Sequence, residues 1–192
     1  MNATLHFTPL SRLLHWLMAI LVLTMLFIGI GMVASLGDYS RLVAIHKPLG
    51  VAILVLVAIR LVNRLLHPPP PLPAWMPPWQ RFAAVASHVL LYVLMFALPL
   101  VGWAMLSAAD YPIVLAGSLH LPPILPHDAK LYAVLRNVHS ALAYLLFATF
   151  LLHFGAALMH ALVYRDGVFQ SMASLRGRTA TPAPPPAGSA TE

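Results

Sequence analysis

The chain has 192 residues, of which 60% are hydrophobic and only 8% are charged, whereas an ordinary soluble domain has about 25% charged residues. With a mean hydropathy of +0.84 it cannot cover a core with polar surface. This excludes a soluble enzyme, a disordered protein and a nucleic-acid reader, despite the net charge of +6. The sequence has no cysteine, so disulfides, iron–sulfur clusters and thiolate zinc sites are excluded too. Ten histidines accompany only five carboxylates, and this imbalance is the feature that a function must explain.

Stretches without charged residues predict four membrane-spanning helices in an all-α, up-down-up-down bundle. We place the spans at about 10–33, 42–62, 82–106 and 137–162. The second span is the least regular because it includes Lys47 and Arg60. Both lie near its ends, where long basic side chains can reach the interface. A buried or re-entrant segment is the alternative for this stretch.

The segments outside the spans differ in character. Four consecutive prolines at 68–71 predict an extended spacer between the second and third spans. The longest connection, 107–133, has room for a short surface helix. We assign residues 1–177 to one membrane domain and 178–192 to a disordered cytoplasmic tail.

The basic residues predict the orientation in the membrane. Seven fall on the side of the two termini and four on the opposite side, which favours both termini in the cytoplasm. The first group is Arg12, Arg60, Arg64, Arg81, Arg165, Arg176 and Arg178, and the second is Arg41, Lys47, Lys130 and Arg136.

Six histidines fall within the spans, where an ionisable group is a functional candidate by default. His139 and His153 are 14 residues apart, which is about 21 Å and nearly four helical turns, so both point the same way. His46 matches the depth of His139, and His15 matches that of His153. Two facing imidazoles suit the axial positions of a low-spin haem iron, whereas zinc prefers four tetrahedral ligands. The spacing therefore predicts two haem sites.

Two other membrane histidines leave alternatives open. His160 lies seven residues beyond His153 on the same helix face, and His88 has a similar depth in the third span. Either could replace His153 as a ligand, bind or protonate a quinone headgroup, or bond across a helix pair. The loop histidines are expected to be solvated, and they are His6, His67, His120 and His127.

Basic residues accompany the paired histidines. Arg12 precedes His15 by three residues, and Arg136 precedes His139 by three, so each lies on the face of its histidine. Haem carries two propionates, and arginine binds carboxylates in bidentate geometry. We therefore regard four residues as propionate candidates, in two groups: Arg12 with Arg60, and Arg136 with Lys47. The alternative is that they only set the topology and reach the interface.

Several short segments carry a resemblance to a known family over roughly residues 10–177. They include RLLHW at 12–16, IHKPLG at 45–50, VAIRLVNR at 57–64, SHVLLY at 87–92, ALPLVG at 97–102, VH at 138–139 and LHFGAALMH at 152–160. In their order and histidine positions they resemble the bacterial cytochrome b561 family, small four-helix dihaem cytochromes of the inner membrane. The resemblance implies His15 and His153 as ligands of one haem b and His46 and His139 as ligands of the other. It also favours His153 over His160.

The resemblance implies a carrier of single electrons across the membrane, linked to ubiquinone. The expected partners are membrane lipid, quinone and an unknown electron donor or redox protein, with no nucleic acid. Some family members oxidise superoxide and reduce quinone, but the segment SAAD at 107–110 lacks a basic residue that would attract this anion. A haem-bearing anchor subunit of a hydrogenase or dehydrogenase complex is an alternative. A metal or proton transporter is less favoured because no internal repeat is evident.

Overall fold

A computed structural model describes residues 7–73, 75–111, 113–116 and 119–173 of the chain. Four long helices follow one another: α1 (Pro9–Ala34), α2 (Tyr39–Leu66), α3 (Pro78–Ala108) and α4 (Ala129–Leu158). Two short strands, β1 (Ile113–Ala116) and β2 (Leu119–Leu121), lie between α3 and α4. A π-helical turn (Met159–Tyr164) continues α4 and is followed by the short helix α5 (Val168–Ala173). The predicted tail at 178–192 lies outside the described residues.

Each of the four long helices is long and apolar enough to cross a membrane. Large apolar side chains cover their outer surfaces; Phe27 and Leu152, for example, are 69% and 74% exposed. Such a surface is stable only against lipid. The prediction of an all-α membrane four-helix bundle is thus confirmed.

The helices alternate in direction, which defines two ends of the bundle. The "termini end" contains the starts of α1 and α3 and the ends of α2 and α4. The "hairpin end" contains the opposite ends of the four helices together with β1 and β2. Residues that lie at a similar membrane depth on different helices are therefore found at the same end of the bundle, as the sequence predicted.

Helix caps make the helices longer than the predicted spans. The Asp128 side chain accepts hydrogen bonds from the amides of Lys130 and Leu131, at 2.8 and 3.0 Å. This cap starts α4 at Ala129, well before the predicted span begins at 137. Charge-free stretches locate the membrane, whereas caps locate the helix ends.

The middle of the bundle is an apolar core. Val57 on α2 and Leu94 on α3 are 0% and 1% exposed, and Leu146 on α4 packs in the same cluster. Leu146 is seven residues from both His139 and His153. The core therefore separates the two predicted histidine pairs.

The long connection differs from expectation. The short surface helix considered for 107–133 is absent from the described residues, and β1 and β2 form an antiparallel pair there, with Ile113 opposite Leu121 and Val114 opposite His120. Ile113 and Val114 are β-branched and favour a strand. Prolines at 122, 123 and 126 exclude a helix after β2.

Candidate cofactor site: two groups of histidines

His46 on α2 and His139 on α4 face each other at the hairpin end. Their ring centroids are 6.1 Å apart and the rings are inclined at 67°. Nδ1 of His46 is buried with no hydrogen-bond partner among the described residues. Nδ1 of His139 also makes no hydrogen bond of good geometry, although the Leu98 carbonyl lies near this ring. Within the described part of the chain, neither Nδ1 atom is thus held by a strong hydrogen bond.

Gly102 on α3 allows His139 to sit close to the neighbouring helix. A Cβ atom at this position would lie 3.3 Å from Cε1 of His139, tighter than an ordinary carbon contact. The glycine therefore helps to fix the position of the His139 ring.

Three imidazoles meet at the termini end. The rings of His15 on α1 and His153 on α4 have centroids 6.4 Å apart. His88 on α3 lies even closer to His153, at 5.3 Å. The structure thus brings His15 and His153 together as predicted, and it also places the competitor His88 in the same group.

Arg60 on α2 contacts this group directly. Its guanidinium nitrogen lies 3.1 Å from Nδ1 of His15. Arginine can only donate, so Nδ1 of His15 is the acceptor and Nε2 of the neutral ring carries the proton. For Nε2 of His15 to act as a ligand, the ring would need the other tautomer, and Arg60 would then pair with another acceptor such as a propionate carboxylate.

His160 has a different environment. In the π-helical turn, its Nδ1 lies 2.6 Å from a carboxylate oxygen of Asp166, and its ring contacts Tyr164 with centroids 5.3 Å apart. The other Asp166 oxygen accepts from the amide of Val168 at 3.1 Å. His160 is therefore held by a carboxylate, unlike the paired histidines.

Two guanidinium groups at the termini end have no anionic partner among the residues that the structure describes. Arg12 is only 7% exposed, and its Nε and one terminal nitrogen are buried without a hydrogen-bond partner in the described chain. One terminal nitrogen of Arg60 is in the same situation. A buried unpaired charge is costly, so these groups suit an anionic partner. At the hairpin end, Lys47 is partly buried and Arg136 is exposed.

These residues fit a haem. Metal–nitrogen bonds are about 2 Å and an imidazole nitrogen lies about 1 Å from its ring centre, so rings on opposite sides of one metal have centroids about 6 Å apart. The observed 6.1 and 6.4 Å agree with this spacing. Within the described ranges no group of three or more His, Cys, Asp or Glu could hold a bare metal ion. The paired imidazoles, with buried guanidinium nitrogens of Arg12 and Arg60 at the termini end, are thus better suited to haem iron and propionates.

Facing imidazoles within a four-helix membrane bundle define a membrane cytochrome of the b type. The chain belongs to the prokaryotic cytochrome b561 family, whose model matches residues 6–174. The family carries b-type haem and transfers electrons in the membrane. The chain is accordingly a multi-pass protein of a bacterial membrane.

Three curated relatives extend the comparison. The chain is 30% identical over 175 residues to cytochrome b561 homolog 2 of Escherichia coli K12, covering 89% of this chain and 93% of the relative. It is 26% identical over 175 residues to cytochrome b561 homolog 1 of the same organism, covering 86% and 96%. It is also 30% identical over 164 residues to the probable superoxide oxidase CybB of Yersinia pestis, covering 83% and 90%.

Two residues that contact the membrane histidines, Asp166 and Gly102, were not predicted from the sequence. Asp166 lies just beyond the last span, and only the π-helical turn brings it back to His160. The sequence offered one signal for its role, a single carboxylate just after the end of the fourth predicted span. Gly102 was part of a recognised segment, but its contact with His139 depends on how α3 and α4 pack.

Proposed function

We propose that the chain is a dihaem b-type cytochrome that moves single electrons across the bacterial inner membrane. His46 and His139 would bind one haem iron, and His15 and His153 the other. The observation that carries this proposal is the pair of iron-compatible ring spacings on one helix, since α4 contributes one histidine to each pair.

The chain's own residues would perform three tasks. When bound, haem supplies reversible one-electron chemistry. Each pair of imidazoles would hold one haem iron with two protein ligands, so that electrons would be exchanged with external reactants through the haem. Arg12 and Arg60 would bind propionates at the termini end, and Lys47 and Arg136 would do so at the hairpin end. The apolar core would exclude water between the two sites.

Ubiquinone is the proposed membrane partner, and His160 is the better supported of the two quinone candidates. With Asp166 accepting from Nδ1–H, Nε2 of His160 is left as an acceptor for a reduced quinone hydroxyl. The carboxylate also stabilises the imidazolium that forms when a proton is taken up. His88 instead lies against His153, so we assign it a place beside the haem.

Haem counting on single-histidine variants tests the ligand assignment. The purified protein should show a low-spin b-type spectrum with two haems per chain. His139→Ala should retain one haem, whereas His127→Ala, a loop control, should retain two. An unchanged count in His139→Ala would refute the assignment at the hairpin end.

A second comparison separates His15 from His88. His15→Ala should remove the haem at the termini end, while His88→Ala should keep both haems and change only the spectrum or the midpoint potential. The reverse result would make His88 the ligand opposite His153.

Superoxide oxidation is a second candidate function, favoured by the similarity to the Yersinia pestis protein. It requires an anion to approach the hairpin end, where Arg41, Lys130 and Arg136 are exposed but Asp110 is exposed as well. Consumption of superoxide by the purified protein with ubiquinone as acceptor would support it. Reduction by a co-purifying soluble subunit, with no quinone reaction, would instead support the anchor-subunit alternative.

A further inference from the structure

A narrow groove lies at the termini end, where the end of α2 meets the start of α1. We call it the interface groove; its polar walls are Ser11 of α1, Tyr92 of α3, and Arg60, Asn63, Arg64 and His67 at the end of α2. Phe7 and Met172 complete the lining. Arg60 contacts His15, whereas Arg64 lies one helical turn closer to the end of α2. The groove therefore begins beside the histidine group and extends towards the membrane surface.

The floor of the groove is fixed by its own hydrogen bonds. Ser11 and Asn63 are both buried, and the Asn63 amide nitrogen donates to the Ser11 hydroxyl at 2.8 Å. The Thr8 hydroxyl donates to the same oxygen at 2.9 Å. At the rim, Nδ1 of His67 lies 3.2 Å from the Asn63 carbonyl, to which it donates. These polar groups bind one another, so the floor keeps its shape without a ligand.

Arg64 supplies a charge that these hydrogen bonds do not use. Its guanidinium carbon lies 5.9 Å from the centre of the Tyr92 ring, a cation–π contact that orients the side chain. No hydrogen bond or ion pair joins this guanidinium to another residue in the described part of the chain. Arg60 adds a second positive charge, and none of the described lining residues is a carboxylate. The groove therefore attracts an anion.

The position and size of the groove select an anion held at the membrane surface. Arg64 lies in the last turn of α2. Trp79, at the start of α3 and so at the same end, is 69% exposed, which is typical of an aromatic side chain at the membrane interface. The cavity volume is only about 10 Å³, about the space of a single water. One oxygen atom of an anion can therefore enter, while the rest of the molecule stays at the mouth.

We propose that the interface groove binds the phosphate group of an anionic phospholipid, with Arg64 donating to its oxygens. Arginine pairs with phosphate in bidentate geometry, and Phe7 and Met172 would contact the apolar part of the lipid. Free phosphate has the same charge chemistry but no acyl chains, and the experiment compares the two. The proposal concerns Arg64, which has no part in the haem assignment, and it holds whichever histidines bind iron.

Native mass spectrometry on the full-length, haem-loaded protein in detergent provides the test. Dioleoylphosphatidylglycerol should bind at one saturable site per chain. Dioleoylglycerol has the same acyl chains without the phosphate, and it should bind at least about tenfold more weakly because the charge-assisted hydrogen bonds are lost. Inorganic phosphate at millimolar concentration should not displace the phospholipid, since it makes no contact with the apolar part of the groove.

Variants at Arg64 test the donor. Arg64→Met removes the charge but keeps an extended side chain, and it should weaken phosphatidylglycerol binding about tenfold. Arg64→Lys keeps the charge but not the bidentate geometry, so its affinity should lie between the two. Arg165→Met is the matched control, because Arg165 is an exposed arginine at the same end but outside the groove; the affinity should change by less than about twofold. The haem spectrum and haem count of each variant report whether the fold is intact.

Five results would overturn the proposal. Equal affinity for phosphatidylglycerol and dioleoylglycerol would mean that the acyl chains alone bind. Displacement of the lipid by inorganic phosphate would assign the groove to the free anion. An equal loss of affinity in Arg64→Met and Arg165→Met would mean general attraction to a positive surface. Lower thermal stability of Arg64→Met with unchanged lipid binding would leave Arg64 only its favourable interaction with the dipole of α2. Loss of one haem in Arg64→Met would assign this arginine to a propionate.

Discussion

Replacing Arg12 with methionine should have opposite effects on the protein with and without haem. The Arg12 guanidinium is 7% exposed and two of its nitrogens have no partner in the described chain. It also lies in the first turn of α1, where the helix dipole disfavours a cation. Without an external anion, its burial is a cost of folding.

The magnitudes follow from these two states. A charge-assisted hydrogen bond to a propionate is worth about 1.5–3 kcal/mol, so Arg12→Met should weaken haem binding at the termini end about tenfold to a hundredfold. In the haem-free protein the same substitution removes an uncompensated buried charge. The variant should then be more stable by about 1 kcal/mol or more.

Two measurements on the same samples separate the effects. Haem titration of the haem-free protein, followed in the Soret band, gives the affinity, and thermal unfolding in the same detergent gives the stability. Arg41→Met is the control, because Arg41 is exposed at the hairpin end, and neither quantity should change. Unchanged haem affinity with a stabilised haem-free protein would refute the propionate role, whereas a destabilised haem-free protein would show that Arg12 has a partner within the chain.

Three further outcomes are expected. Gly102→Leu should push His139 away, and so lower the haem occupancy at the hairpin end or shift the midpoint potential of that haem. Gly29→Ala is the control, because an added Cβ at position 29 meets nothing within 4 Å, and it should change neither quantity. Equal potentials and haem counts in the two variants would contradict the close contact. Asp166→Asn should slow haem reduction by ubiquinol in a stopped-flow assay, because the imidazolium formed when His160 takes up a proton loses its carboxylate, but it should leave the haem content and haem reduction by dithionite unchanged. A normal rate of reduction by ubiquinol would exclude the His160–Asp166 pair from proton transfer. Asn63→Leu removes the buried 2.8 Å hydrogen bond from Asn63 to the Ser11 hydroxyl of α1. It should lower the free energy of unfolding by about 1 kcal/mol, measured as a lower midpoint of thermal unfolding. An unchanged midpoint would mean that this bond contributes nothing to stability.

The sequence was sufficient for features governed by local periodicity. His139 and His153 are 14 residues apart, and this spacing alone placed them on one helix face. The same depth argument paired them with His46 and His15, and the rings do meet.

Features that depend on packing between elements could not be predicted in the same way. The distance of His88 from His153 depends on how α3 rotates against α4. The bond between Arg60 and His15 joins residues 45 positions apart. The strands of the long connection were missed because the prolines around them obscure so short a signal.

The apolar core between the two histidine groups has an electrical consequence. Val57 and Leu94 offer no polar group to a proton and are almost completely buried, whereas an electron needs no such group to cross a few turns of helix. In the proposed carrier, an electron would therefore cross this layer without an accompanying proton. Each transfer would then move net charge within the membrane, and a potential of 100 mV acting across the whole bilayer would change its free energy by up to about 2.3 kcal/mol. The direction of electron flow would respond to the energised state of the membrane as well as to the potentials of the donor and acceptor.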